Sequence, residues 1–204
     1  DHSRPALIGG PVPFCRVLMT APIFLTVAAA IAAIMALYLR QQGRARMARR
    51  AAYLDDVESL FSNRLRAVAP TGFPRLSGQH DGALYDLQVV PDTLTYRKLP
   101  ALWLLVSHIA PLPLRATLDI MLRPMGAESF SHFDTLPIQI AIPAGFPPDC
   151  AIRCDDPTAI PDFDLIGRHL AGLDLDGLKE LVISPKGLRI VWLAEEADRG
   201  RYLI

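Results

Sequence analysis

The hydrophobic and polar positions divide the chain into three regions, of which the first is an uncharged run. It extends over Val17–Leu39, with Arg16 before it and Arg40 after it. A helix of about 23 residues at a rise of about 1.5 Å per residue is about 34 Å long, which is enough for a hydrocarbon core about 30 Å thick. The pattern predicts one transmembrane helix at residues 17–39, preceded by a tail at residues 1–16.

The second region has a helical spacing of apolar residues. Between Arg44 and Val68, apolar side chains recur every three or four positions, with arginines on the opposite side. The stripe predicts a basic juxtamembrane helix within residues 40–72, which follows the span with a kink at Gly43. This helix packs on its own domain or, as the alternative, forms a short coiled coil.

The third region begins at Phe73, where short alternating segments separated by prolines replace the helical spacing. Alternation and β-forming residues predict strands at Ala83–Val90, Thr93–Lys98, Leu102–Val106, Leu114–Leu122, Pro137–Ile142, Cys150–Cys154, Leu178–Ser184 and Leu188–Leu193. Leu114–Leu122 has helical propensity, but its alternation favours a strand. Turns are predicted at Pro91-Asp92 and at Pro185-Lys186-Gly187.

One helix is predicted among these strands, within Asp162–Leu173, where Asp162 or Asp164 caps the first turn. The predicted fold class is therefore α+β. It has an N-terminal transmembrane helix, a juxtamembrane helix, and a mainly antiparallel β-sheet domain at residues 73–204 with a C-terminal helix.

The charge, hydrophobic share and cysteine count of the chain limit which partners and compartments are expected. The 21 basic side chains balance the 21 acidic ones, so no overall field favours nucleic acid as a partner. The hydrophobic share of 51% is high for a soluble protein, and the apolar span accounts for much of it. The 3 cysteines cannot all pair with one another, which favours a reducing compartment.

Arginines after the apolar run predict the orientation of the chain. The tail offers Arg4 and Arg16, whereas five arginines follow the run before the first acid, Asp55. Because arginine-rich flanks stay cytoplasmic, the tail is predicted outside and the domain in the cytoplasm, at a bacterial inner membrane. The same arginines would contact anionic lipid of the bilayer: Arg40, Arg44, Arg46, Arg49 and Arg50.

Small residues recur along the apolar run at a spacing that permits close helix packing. They are Ala28, Ala29, Ala32, Ala33 and Ala36. The sequence predicts a helix-packing surface for another membrane subunit, and the alternative is that the alanines of a single span face lipid.

The segment Cys150–Leu193 has a strand, an Asp155-Asp156-Pro157 turn, a helix and a hairpin in succession. In this order it resembles the C-terminal part of uncharacterised single-pass bacterial membrane proteins that have a cytoplasmic domain without an established activity. The resemblance implies a bacterial membrane protein of unknown function, and it carries over no functional residues.

The residues whose side chains could take part in catalysis or metal binding do not form a recognisable site. Cys150 and Cys154 are about 13 Å apart along a strand, which is too far for one zinc ion without a bend, and they are expected in the core. Asp155 and Asp156 are adjacent and are expected to serve the turn. We therefore expect no metal, no cofactor and no enzymatic activity.

Two function classes follow from these observations. The first is a non-enzymatic single-pass accessory subunit that assembles or stabilises a larger bacterial membrane complex, for which a photosynthetic or respiratory assembly would be a natural host. The alternative is a membrane-anchored ligand-binding or regulatory domain, with a pocket between the sheet and the helix near Ile166–Leu173.

Overall fold

The computed structural model describes residues 14–92, 101–124, 128–173 and 175–196. The chain divides into two units, Asp1–Met47 and Ala48–Ile204. Helix α1 extends over Phe14–Ala51 and, among the described residues, it is the helix that is long and apolar enough to cross a membrane. The prediction of an apolar N-terminal helix is confirmed.

The predicted juxtamembrane helix is wrong beyond Ala51. Helix α1 continues through Gly43 to Ala51, a short helix α2 follows at Asp55–Glu58, and strand β1 occupies Ser62–Val68. Two tertiary interactions outweigh the local helical spacing here. Strand β1 pairs with the next strand, and the Arg66 guanidinium binds the Ala51 carbonyl and the carboxylates of Asp55 and Glu58.

The domain is built on one nine-stranded sheet in which every neighbouring pair is antiparallel, in the order β1-β2-β3-β4-β9-β8-β5-β7-β6. The strands after β1 are β2 Pro74–His80, β3 Ala83–Asp92, β4 Ala101–Ile109, β5 Leu118–Leu122, β6 Ile138–Ile140, β7 Cys150–Cys154, β8 Leu178–Ser184 and β9 Gly187–Glu196. The prediction of an α+β fold with a mainly antiparallel sheet is confirmed.

Two predictions about single segments need correction. Pro91 and Asp92 do not form a turn, because β3 continues through them and pairs with Leu102 and Ala101 of β4. The ladder with β2 has already ended at Gln88, so the missing N–H of Pro91 breaks no hydrogen bond on that side. The second correction concerns the predicted strand Leu114–Leu122, because β5 begins only at Leu118. The predicted strand Thr93–Lys98 lies outside the described residues.

Helix α3 is shorter than predicted and extends over Phe163–Leu170. The Asp162 side chain caps it by accepting the Asp164 N–H at 2.9 Å. After Leu170 the N–H groups of Gly172 and Leu173 bond three residues back, so the last turn tightens and the α-helix ends. The expected C-terminal helix is therefore present only in part.

One face of the sheet carries an apolar row of cross-strand neighbours. In strand order, the apolar row comprises Leu76, Leu87, Val106, Ile190, Leu181, Ile120, Ile152 and Ile140. Buried Ile166 and Leu170 of α3 pack on this face in a cluster with Ile120 and Ile152. The main core of the domain therefore lies between the apolar row and the segments that cover it.

Candidate functional site

A cavity of about 420 Å³ lies between α3 and the apolar face of the sheet. The inner side of α3 forms one wall, strands β8 and β9 form another, and the segment after β4 closes the rim. The lining residues are Leu112, Pro113, Leu114, Pro161, Leu165, Ile166, His169, Leu170, Leu173, Leu181, Ile183, Leu188 and Ile190. This is where the sequence predicted a pocket.

The chemistry of this cavity suits an apolar occupant. Every lining residue except His169 has a hydrocarbon side chain, so the walls offer few side-chain hydrogen bonds to a polar molecule. Its volume falls within the range of roughly 300–1,000 Å³ that is usual for small-molecule pockets. We refer to it below as the apolar cavity.

The cysteines and the adjacent aspartates have the structural roles that the sequence indicated. Cys150 and Cys154 are free and buried in the core cluster, and burial raises the pKa of both thiols. Asp155 accepts the N–H of Thr117 at 2.8 Å, whereas Asp156 accepts the N–H of Thr158 at 2.9 Å. Within the described ranges, no group of three or more His, Cys, Asp or Glu residues is placed to hold a metal ion.

The opposite face of the sheet carries a second row, which is polar except for Val182. In strand order, the polar row comprises Ser77, Asp86, Ser107, Arg189, Val182, Asp119, Arg153 and Gln139. Each member is the immediate chain neighbour of a member of the apolar row, so the alternation of each strand separates the two chemistries. Eight strands therefore place side chains that are far apart in sequence along one line.

The central part of the polar row contains a buried pair of carboxyl groups. Asp119 is 2% exposed and Glu180 is 1% exposed, and a hydrogen bond joins the two carboxyl groups. The hydroxyl of Ser131 also donates to Glu180. Burial and the nearby Glu180 charge raise the pKa of Asp119 to about 9, and burial also raises the pKa of Glu180. The pair therefore retains a proton at neutral pH.

Stability is expected to depend on pH through Asp119. An unfolded aspartate ionises near pH 4, whereas folded Asp119 keeps its proton up to about pH 9. Because the folded state binds more protons in this window, its stability falls as pH rises from about 4 to 9. At pH 8 the free energy of unfolding of Asp119→Asn should exceed that of the parent chain by an amount on the order of 1 kcal/mol or more. At pH 4 the two free energies, both measured by urea unfolding, should differ little. Equal differences at both pH values would contradict this prediction.

Two pockets meet at Arg189 on the polar row. The first, which we call the basic pocket, has a volume of about 310 Å³, and its polar lining residues are Arg75, Asp86, Ser107, His108, Ser184, Lys186 and Arg189. The second, which we call the acidic pocket, has a volume of about 230 Å³, and its polar lining residues are Thr117, Asp119, His132, Thr135, Glu180 and Arg189. Val182 and Arg189 line both pockets, so the pockets are adjacent.

A buried ion pair holds the connection after β5 against this face. The Lys179 ammonium lies 3.1 Å from the Glu128 carboxylate, with both side chains 4% exposed, and it also donates to the Arg123 carbonyl at 2.5 Å. The Phe130 ring lies 5.1 Å from the Trp103 ring. The same connection supplies Ser131, whose hydroxyl donates to Glu180.

The residues that the sequence singled out for membrane contacts all lie on helix α1. Ala28, Ala29, Ala32, Ala33 and Ala36 are exposed, as are Arg40, Arg44, Arg46 and Arg49. Arg50 differs from them, because its guanidinium donates to the Thr71 carbonyl at 2.9 Å and lies over the Phe73 ring. Arg50 therefore packs on the domain, and lipid contact stays a prediction for the others.

Sequence reasoning missed the carboxyl pair and Arg189. One signal was present, because Asp119 lies among apolar residues in the alternating segment that became β5. Alternation alone assigns such a residue to solvent. Only the register of β5, β8 and β9 brings three side chains into one site, namely Asp119, Glu180 and Arg189.

The fold and its two sites define an α+β protein with an N-terminal helix that could span a membrane and an antiparallel sheet with an apolar cavity on one face. No protein-family model, curated protein or solved structure matches the chain.

Proposed function

We propose that this chain is a membrane-anchored, non-enzymatic binding protein whose domain holds an apolar small molecule. The observation that carries the proposal is the apolar cavity between α3 and the sheet. Burying an apolar ligand there would remove its surface from water at roughly 25 cal/mol per Å². An N-terminal span would keep the domain beside the bilayer, where apolar molecules concentrate.

The experiment uses the full chain in lipid nanodiscs and a photoactivatable diazirine fatty acid as the probe. We expect crosslinked peptides from α3 and from β8. Leu165→Arg should reduce crosslinking by at least tenfold, because Leu165 lines the cavity and a bound apolar chain would bury the guanidinium without a partner. Leu165 is 47% exposed, so this change should leave the core intact.

Leu84→Arg is the matched control, because Leu84 is 39% exposed and does not line the cavity. Its crosslinking should equal that of the parent chain. Crosslinks confined to α1, or unchanged crosslinking in Leu165→Arg, would refute the apolar site. Stoichiometric co-purification with large membrane subunits, together with such a result, would favour the accessory subunit of a photosynthetic, respiratory or other complex.

We further propose that the N-terminal tail is outside a bacterial inner membrane and the domain in its cytoplasm, because arginines crowd the C-terminal side of the apolar run. Protease added to intact cells should leave the domain uncut, and detergent lysis should make it accessible. Loss of an epitope after Glu196 without lysis would reverse the orientation.

A further inference from the structure

The basic pocket contains two cations, Lys186 and Arg189, that form no ion pair within 4 Å in the described part of the chain. Asp86 is already bound by Arg75 at 2.9 Å and by Ser77 at 2.6 Å, and the charge of Arg189 reaches Asp119 and Glu180 only at longer range. The Nε of Arg189 donates to the Ser107 hydroxyl at 3.2 Å, which fixes the guanidinium between the two pockets.

The terminal nitrogens of Arg189 remain available to a ligand. No described residue accepts a hydrogen bond from them, although the side chain is half-buried. A guanidinium in this state matches the paired oxygens of a carboxylate or phosphate group. The basic pocket is therefore suited to a small oxyanion.

The acidic pocket shows the opposite imbalance. The Oδ1 atom of Asp119 is buried and accepts no hydrogen bond from any described residue. Asp119 and Glu180 both line the pocket, and neither forms an ion pair within 4 Å with a described side chain, although the charge of Arg189 lowers the pKa of both at longer range. A buried oxygen without a donor is costly, and a cationic donor would satisfy it and compensate the negative charge that develops when the pair gives up its proton.

We propose that the polar row binds a small zwitterion, with its oxyanion on Arg189 in the basic pocket and its ammonium group against Asp119 and Glu180 in the acidic pocket. Asp119 and Arg189 lie two strands apart, so their backbones are separated by about 10 Å. Asp119 and Arg189 both line the acidic pocket, so the ligand class that we propose is a short one, an amino acid or an aminoalkyl phosphate. The site lies on the face opposite the apolar cavity, so it is independent of the function proposed above.

Binding of the ammonium group should release the proton that the carboxyl pair holds. The charged and ionisable groups that face the pair are Arg189 on β9, Arg153 on β7, and Glu128 and His132 on the connection after β5. Glu128 is already paired with Lys179. The carboxyl pair is therefore the expected source of a proton that leaves on binding.

The test is isothermal titration of the full chain in phosphatidylglycerol nanodiscs with O-phosphoethanolamine, γ-aminobutyrate, ethanolamine and inorganic phosphate. We expect at least one of the two zwitterions to bind at least tenfold more tightly than both ethanolamine and phosphate. Repeating the titration at pH 7 in buffers of different ionisation enthalpy should show close to one proton released per zwitterion bound.

Variants separate the two halves of the site. Asp119→Asn should abolish proton release and lower zwitterion affinity to that of phosphate, and Arg189→Gln should lower it at least tenfold. Arg168→Gln, on the exposed surface of α3, is the matched control and should bind as the parent chain does. Zwitterions that bind no better than phosphate, or unchanged binding in both site variants, would overturn the proposal.

A second arm identifies the source of the zwitterion. The titration with O-phosphoethanolamine is repeated in phosphatidylethanolamine nanodiscs. Weaker apparent binding there would support the site and identify a lipid headgroup as the competitor. Unchanged tight binding would support the site and identify a free molecule as its ligand.

Discussion

Lys179→Met should lower the free energy of unfolding by about 3–5 kcal/mol, because it removes the ammonium group from a buried ion pair. The Lys179 ammonium lies 3.1 Å from Glu128, and both side chains are almost fully buried. The change also removes the hydrogen bond to the Arg123 carbonyl. Urea unfolding of the full chain, followed by the fluorescence of Trp103 beside Phe130, measures the effect.

Two controls distinguish the charge effect from lost packing. Lys179→Met combined with Glu128→Gln should recover part of the lost stability, because both charges of the ion pair are then replaced by neutral side chains. Lys186→Met removes an exposed lysine and should change the stability by less than about 0.5 kcal/mol. If the double variant is as unstable as the sum of its single changes, the ion pair is not the cause.

Gly187→Ala should destabilise the domain by about 3 kcal/mol or more, because it combines backbone strain with a steric clash. Gly187 begins β9 with φ +134°, and a Cβ there would lie 2.1 Å from the carbonyl oxygen of His108. That oxygen belongs to β4, so neither partner can move without breaking the ladder between β4 and β9. The same urea unfolding measurement applies.

Gly82→Ala is the matched control for this prediction. Gly82 lies in the turn between β2 and β3 with φ +78°, but a Cβ there would meet no atom within 4 Å. It should therefore cost only the strain of a left-handed backbone, about 1–2 kcal/mol. Equal losses in the two variants would show that the His108 contact adds nothing.

The polar row explains why the site could not be predicted from the sequence. Each strand alternates, and the sequence correctly assigned Asp119 to the side opposite Leu118 and Ile120. Alternation places such a residue in solvent, yet Ser131, Phe130 and the Lys179–Glu128 pair cover this face. The burial of Asp119 depends on the connection after β5, and nonlocal contacts set the position of that connection.

Local chemistry was enough for several elements. The uncharged run determined the long apolar helix, alternation determined most strands, and Asp162 determined the start of α3, because each depends only on neighbouring residues. Tertiary structure decided the rest. Ser62–Val68 became a strand because β2 pairs with it, and Asp119, Glu180 and Arg189 became one site because the register of three strands brings them together. Pairing between distant segments carries no local signature, so only the folded sheet could reveal it.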